Sequence, residues 1–151
     1  MGQGARILVV DDDESIRKVL TAILEDQGYT VESVGTAKKA IQKTKRKIYN
    51  LALIDIRLQD MEGIQLLTRM RDTTPKMRKI IITGYPTLKN AVEAVNKGAD
   101  AYIVKPFDME KVLKTIKEQL KRQEEAKRYS QEKVAEFIKT RVMELEAEKK
   151  L

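Results

Sequence analysis

Four short apolar runs in this chain end on side chains able to do chemistry. Ile7–Val10 is followed by Asp11, Asp12 and Asp13. Leu51–Ile54 is followed by Asp55, Lys79–Ile82 by Thr83, and Ala101–Val104 by Lys105. If the runs are parallel strands of one open sheet, all of these residues sit at the strands' carboxyl ends, on the rim where such sheets bind ligands. Two carboxylates about 4 Å apart repel by ~4 kcal/mol at an effective dielectric near 20. A hard divalent cation relieves that repulsion. Mg2+, with Mn2+ as a substitute, takes oxygen ligands and keeps several waters. Asp55 then has the character of a carboxylate nucleophile toward phosphorus. The Thr83 hydroxyl and the Lys105 ammonium would take up charge on the phosphoryl oxygens. The chemistry this set fits is phosphoryl transfer.

Composition narrows the alternatives. The 151 residues contain no cysteine and no histidine. This excludes disulfides, zinc–thiolate sites, thiol catalysis and histidine-based triads. Apolar residues make up 42%, enough for a core, but no run approaches the ~18 residues of a membrane span. No signal-peptide pattern opens the chain, and Met1-Gly2 lacks the Ser/Thr of a myristoylation motif; a cytoplasmic protein is expected. Gly2-Gln3-Gly4 precedes its strand, so it is no dinucleotide fingerprint. The formal charge is +7. Lys and Arg are interleaved with Glu along helices, as on solvated faces, and direct DNA binding is not expected.

The elements that must position these residues alternate strictly. Between the runs Ile7–Val10, Thr30–Val34, Leu51–Ile54, Lys79–Ile82 and Ala101–Val104 lie helical patterns. Ile16, Val19, Leu20, Ile23 and Leu24 mark one face of a first helix, stopped by Gly28. Ala37, Ala40, Ile41 and Thr44 give a second. Ile64, Leu67 and Met70 give a third, ending before Pro75. Leu88, Ala91, Val92 and Val95 give a fourth, with Gly98 past its end. Met109, Val112, Leu113, Ile116 and Leu120 give a fifth. This alternation predicts an α/β fold with a doubly wound, five-stranded parallel sheet. TVESV alternates polar and apolar residues, which marks an edge strand and favours the order 2-1-3-4-5.

Residues 1–121 read as one domain and 122–151 as a charged helical extension or linker. The extension has no Gly or Pro, and it carries a second apolar stripe at Val134, Phe137, Ile138, Val142 and Leu145. That stripe predicts homodimerisation through residues 132–148.

From Arg6 to about Leu120 the chain resembles the receiver domain of two-component response regulators, the CheY-like fold. The stretches that carry the resemblance are ILVVDDDESIR, LALIDIRLQDMEG, IIITGYP and GADAYIVKPF, in order and at fitting spacing. The resemblance implies that Asp55 is the phosphoacceptor and that Asp11, Asp12 and the Arg57 backbone carbonyl join it in holding the metal. It implies that Thr83 and Lys105 contact the phosphoryl group and that the Lys105–Pro106 bond is cis. Tyr102 would turn inward as Thr83 moves, switching the face made by helix 4, strand 5 and helix 5. Arg57 and Tyr85 would cover the phosphoryl group and modulate its loss. The implied partner is a sensor histidine kinase or a phosphotransfer protein, with a downstream effector the sequence does not name. Beyond turning over its own phosphoryl group, the chain is not expected to be an enzyme. Leu58 and Gln59 stand where the family usually has Met-Pro, and Glu62 replaces a common Asp; none of these removes a ligand.

Two other readings compete. A haloacid-dehalogenase-like phosphatase would use Asp11 as its nucleophile, but it leaves Asp55 without a role and lacks a second acidic pair after the lysine. Alternatively, the acidic run is only a helix start, where acids complement the dipole and one caps the first turn. That account suffices for Asp13 and Glu14, but not for Asp11 and Asp12.

Overall fold

The structure is a computed structural model, and it describes residues 4–149. Met1–Gln3, with the leader residues read above, and Lys150–Leu151 lie outside the described residues. Five strands form one parallel sheet: β1 (Arg6–Val10), β2 (Thr30–Val34), β3 (Leu51–Asp55), β4 (Arg78–Thr83) and β5 (Ala101–Val104). Their order is β2-β1-β3-β4-β5, so TVESV is an edge strand, as its alternation predicts.

Successive side chains of a strand point to opposite faces, and two cores follow from this. Ile7 and Val9 meet α1 (Glu14–Asp26) through Leu20 and Leu24, and α5 (Met109–Lys149) through Val112 and Ile116. Leu8 and Val10 meet α2 (Ala37–Arg46), α3 (Gly63–Leu66) and α4 (Leu88–Asn96) through Ala37, Ala40, Ile64, Leu66 and Ala94. Asp13 opens α1 as its N-cap, accepting from the Ser15 and Ile16 amides at 2.9 and 3.2 Å. Gly28, at φ +92°, turns the chain out of that helix.

Two helices depart from the periodicity. The third was expected to run through Met70 but has only four regular residues. Thr68 and Arg69 donate to carbonyls three residues back, and the Thr68 hydroxyl also donates to the Gln65 carbonyl. This local competition tightens the turn while leaving Leu67 and Met70 buried. In α4 the apolar stripe faces out: Leu88 is 82% exposed, Val92 50% and Val95 65%, while Ala94 is buried. Periodicity identifies a face but not which side of the helix is covered. Here the small side chain of Ala94 permits close approach to the core.

The edge strand is pinned to its neighbours by Glu32. Its carboxylate accepts from Lys47 Nζ at 2.6 Å and Tyr49 Oη at 2.7 Å, with Lys43 Nζ at 3.3 Å. Lys47 first, with Tyr49 and Lys43, draws the Glu32 pKa from 4.5 down to about 2 against the cost of burial. A depressed carboxylate pKa stabilises the fold above the unfolded value, and that contribution is lost as pH falls through the folded value. Glu32→Gln should therefore lower stability by about 1–2 kcal/mol above pH 4.5, after allowance for two half-exposed lysines. The deficit should close between pH 4.5 and about 2, read by urea melts across that window.

The α5 helix has 41 residues, a span of about 60 Å. Its last buried side chain is Gln123, whose Nε2 donates to the Asn50 and Lys76 carbonyls, each at 2.8 Å. Asn50 Nδ2 donates back to Gln123 Oε1 at 3.2 Å. Every residue from Glu124 to Lys149 is exposed. Among the described residues no helix is long and apolar enough to cross a membrane.

Candidate functional site

The carboxyl ends of β1, β3, β4 and β5 bring Asp11, Asp12, Asp55, Thr83 and Lys105 to one rim. One carboxylate oxygen from each of Asp11, Asp12 and Asp55 lies within 4.8 Å of the others. Lys105 Nζ stands 3.5 Å from Asp11 Oδ2 and 3.4 Å from Asp55 Oδ2. Oxygen-only donors on a half-open rim suit a hard divalent ion, and the three residues could hold one.

The members differ in environment. Asp11 is buried at 3% exposure and Asp12 is exposed. Burial pushes the Asp11 pKa above its ordinary 3.8; the Asp13 amide pulls against it, Asp55 adds to it, Lys105 opposes and Asp12 adds again. The Asp13 amide donates to Asp11 Oδ1 at 2.9 Å, and the Arg57 amide donates to Asp55 Oδ1 at 3.2 Å. Each carboxylate is thus aimed by the backbone two residues on.

Thr83 is fully buried, and its hydroxyl accepts from the Tyr85 amide at 3.0 Å. Tyr102 lies on β5, and its buried hydroxyl has no hydrogen-bond partner among the described residues. Burial raises its pKa, and the nearby Thr83 hydroxyl opposes the shift. Arg57 and Tyr85 are exposed, and the guanidinium carbon sits 3.9 Å from the centroid of the tyrosine ring. They stack as a cation–π pair in the loops that follow β3 and β4. The Arg57 backbone belongs to a turn closed by a bridge to Glu62. The Lys105–Pro106 bond is cis.

Three residues that frame the site escaped the sequence reading. Arg17 Nη1 donates to the Asp11 carbonyl at 2.6 Å, tying α1 to the acidic loop. The Asp60 carboxylate accepts from the Ala37 and Lys38 amides, each at 2.9 Å, so the loop after β3 closes the N-terminus of α2. These contacts join separate segments, and local spacing carries no signal of the second. The third is Gly63, eight residues after Asp55, where an added Cβ would collide with the Asp55 carbonyl oxygen. Gly63→Ala must displace the backbone that carries Asp55. It should cost about 1–3 kcal/mol, as overpacking does, and slow chemistry at Asp55. Paired urea melts and initial rates would read both.

Comparison with known proteins accords with this geometry. A family model, the response regulator receiver domain, matches residues 7–117. The transcriptional regulatory protein ZraR of Klebsiella oxytoca is 38% identical over 119 residues, covering 79% of this chain and 27% of that protein. The chain therefore spans about a quarter of the length of this curated relative. A response regulator receiver domain protein (CheY-like) from Methanospirillum hungatei JF-1 superposes with a TM-score of 0.78 at 46% identity, over 82% of this chain and 99% of that one. A response regulator from Burkholderia pseudomallei, solved with a phosphorylated aspartic acid, calcium ion and citrate, gives 0.66 at 29% identity, over 72% and 64%. These matches lend no support to a haloacid-dehalogenase-like phosphatase. In the structure Asp55, idle in that reading, sits within the acidic cluster beside Lys105.

Proposed function

The chain belongs to the response regulator receiver domain family, and on that premise we propose that Asp55 accepts a phosphoryl group from a partner histidine kinase or phosphotransfer protein. An Asp55 carboxylate oxygen forms a bond to phosphorus as the donor's phosphorus–nitrogen bond breaks, and the leaving imidazole takes a proton from solvent. Mg2+, or Mn2+ in its place, held by Asp11, Asp12, Asp55 and the Arg57 carbonyl, would supply positive charge to the phosphoryl oxygens. Lys105 supplies charge from the other side, and Thr83 donates its hydroxyl proton to a phosphoryl oxygen. The observation that carries the reading is the convergence of three carboxylates with Lys105 on Asp55.

The output follows from Thr83. Drawing its hydroxyl toward the phosphoryl group changes the space available to the Tyr102 hydroxyl, and β5 and α4 lie next to both. That face already exposes Leu88, Val92, Val95 and Val104, an apolar surface for an effector. The local charge event biases a two-state element. The stacked Arg57 and Tyr85 form a roof that slows water attack on the acyl phosphate. Turnover of its own phosphoryl group is the whole of the chain's catalysis, and a cytoplasmic site of action follows from the kinase partnership.

The expectation that direct DNA binding plays no part is withdrawn. The matched relative is a transcriptional regulatory protein of which this chain spans about a quarter, so the output of the whole protein is open to DNA contact. The test of the chemistry is intact mass after incubation with acetyl phosphate. One added phosphoryl group is expected with Mg2+ and none with a chelator; no adduct with any donor would overturn the proposal.

A further inference from the structure

We infer that the outward face of α2 is a contact surface for duplex nucleic acid, engaging its phosphate backbone without reading its sequence. The inference stands apart from the chemistry at Asp55. Cations were expected to interleave with Glu along the helices, and on α2 they do not. Between Thr36 and Ile48 stand Lys38, Lys39, Lys43, Lys45, Arg46 and Lys47, with no acid among them.

The fold gathers these cations on one side. Ala37, Ala40 and Thr44 form the buried face of the helix. At ~100° per residue, Lys38, Lys39, Lys45 and Arg46 fall within an arc of roughly 120° on the opposite side, with Gln42 at its centre. All five are exposed. Among the described residues none of these four cations has an ion-pair partner. Two acids border the face. Glu32 holds Lys43 and Lys47 at one rim, and the Asp60 carboxylate is bound to the Ala37 and Lys38 amides at the helix start.

Helix stability does not account for the pattern. Cations in the last turn complement the helix dipole, which covers Lys45 and Arg46. Lys38 and Lys39 lie in the first turn, where cations oppose the dipole, and no acid stands there to offset them.

The surroundings select the partner. Protein interfaces are poor in Lys and are anchored by aromatic or apolar side chains. Every exposed residue from Lys38 to Lys47 is Lys, Arg or Gln, and Ile48 beyond them is a single exposed apolar side chain, as is ordinary on a protein surface. A membrane-surface helix dips its apolar face into lipid, but the apolar face of α2 is already covered by the core. Single strands stack their bases on aromatic rings, and this helix has none. A regular line of phosphates needs only cations. The four span about 12 Å along the helix, over which a duplex carries about seven phosphate charges.

Anisotropy of a labelled DNA duplex of about 20 base pairs and arbitrary sequence, titrated with the full chain over roughly 50–200 mM salt, tests this. The duplex should bind, and the log of the association constant should fall against the log of salt with a slope of about −4, near −0.9 for each of four contacts. Changing all four cations together (Lys38→Gln, Lys39→Gln, Lys45→Gln, Arg46→Gln) should weaken binding at least about tenfold and flatten the slope. A control with the same change in net charge on the exposed arm of α5 (Lys127→Gln, Arg128→Gln, Lys133→Gln, Lys139→Gln) should weaken it less than about twofold. Both variants should keep the parent's cooperative thermal melt. Equal losses in the two variants would reduce the effect to net charge and overturn the surface, as would no binding at the lowest salt. Equal affinity for polyglutamate, or for vesicles of equal parts phosphatidylcholine and phosphatidylserine, would overturn the partner. Equal affinity for a single strand of the same length would overturn the preference for a duplex.

Discussion

Asp55→Asn should take up no phosphoryl group under conditions that fully label the parent chain. The amide oxygen of asparagine lacks the charge and the nucleophilicity of a carboxylate, and neither Asp11 nor Asp12 replaces it. Asp11 is buried and held by the Asp13 amide, with its own carbonyl bound to Arg17. Asp12 is exposed and has no cation within ion-pair distance among the described residues. The fold should survive. The Arg57 amide keeps an acceptor, and Lys105 keeps Asp11. The melting midpoint should move by no more than about 2–4 °C, the effect of roughly 1 kcal/mol in a domain of this size. Intact mass and a thermal melt read both outcomes; a phosphoryl adduct on the variant would move the acceptor elsewhere.

Asp11→Asn should act in opposite directions on stability and on metal binding. Burial, then the charges of Asp55 and Asp12, hold the Asp11 pKa above 3.8 despite the Asp13 amide and Lys105. A carboxylate raised in this way destabilises the fold wherever it is ionised. The penalty is relieved as pH falls through the folded value toward 3.8. The variant removes that charge and keeps an acceptor for the Asp13 amide. Without metal at pH 7 it should be more stable than the parent, and the difference should shrink on acidification. With Mg2+ the order should reverse. A ligand at 100 times its dissociation constant stabilises by about 2.7 kcal/mol, and the variant forfeits most of this by losing a charged ligand. Urea melts with and without Mg2+ would show the crossing. A variant less stable than the parent without metal would mean that its pairing with Lys105 outweighs the repulsion.

Much of this was legible from residue order because a parallel sheet converts order into place. Asp11, Asp55, Thr83 and Lys105 each follow a run apolar enough to be a buried strand, and strands that all point one way deliver them to one rim. The edge position of TVESV was readable for a similar reason, since alternation betrays a strand covered on one face only. What the chain did not disclose depends on contacts across sequence distance. Gln119 and Gln123 are polar by type, yet both are buried, and Gln123 bonds to the loops around Asn50 and Lys76. Lys79 looked like the start of an apolar run; its ammonium is buried and donates to the Leu67 carbonyl at 2.7 Å, closing the end of the truncated third helix. Gly63 shows no need to be glycine in its local sequence; that need arises only when the Asp55 carbonyl is placed beside it. The outward stripe of α4 shows the same limit, because hydrophobic period reports a face and not what lies against it.

The amide lock at Gln123 has a mechanical consequence. It is the last point at which α5 is held, so it acts as a fulcrum, with the domain on one side and a free arm to Lys149 on the other. That arm is about 39 Å long at 1.5 Å per residue. A tilt of only about 5° at the fulcrum sweeps its tip through roughly 3 Å, close to half a helical turn of pitch. A displacement too small to matter inside the domain therefore arrives at the far end of the helix as a sideways shift of about 3 Å.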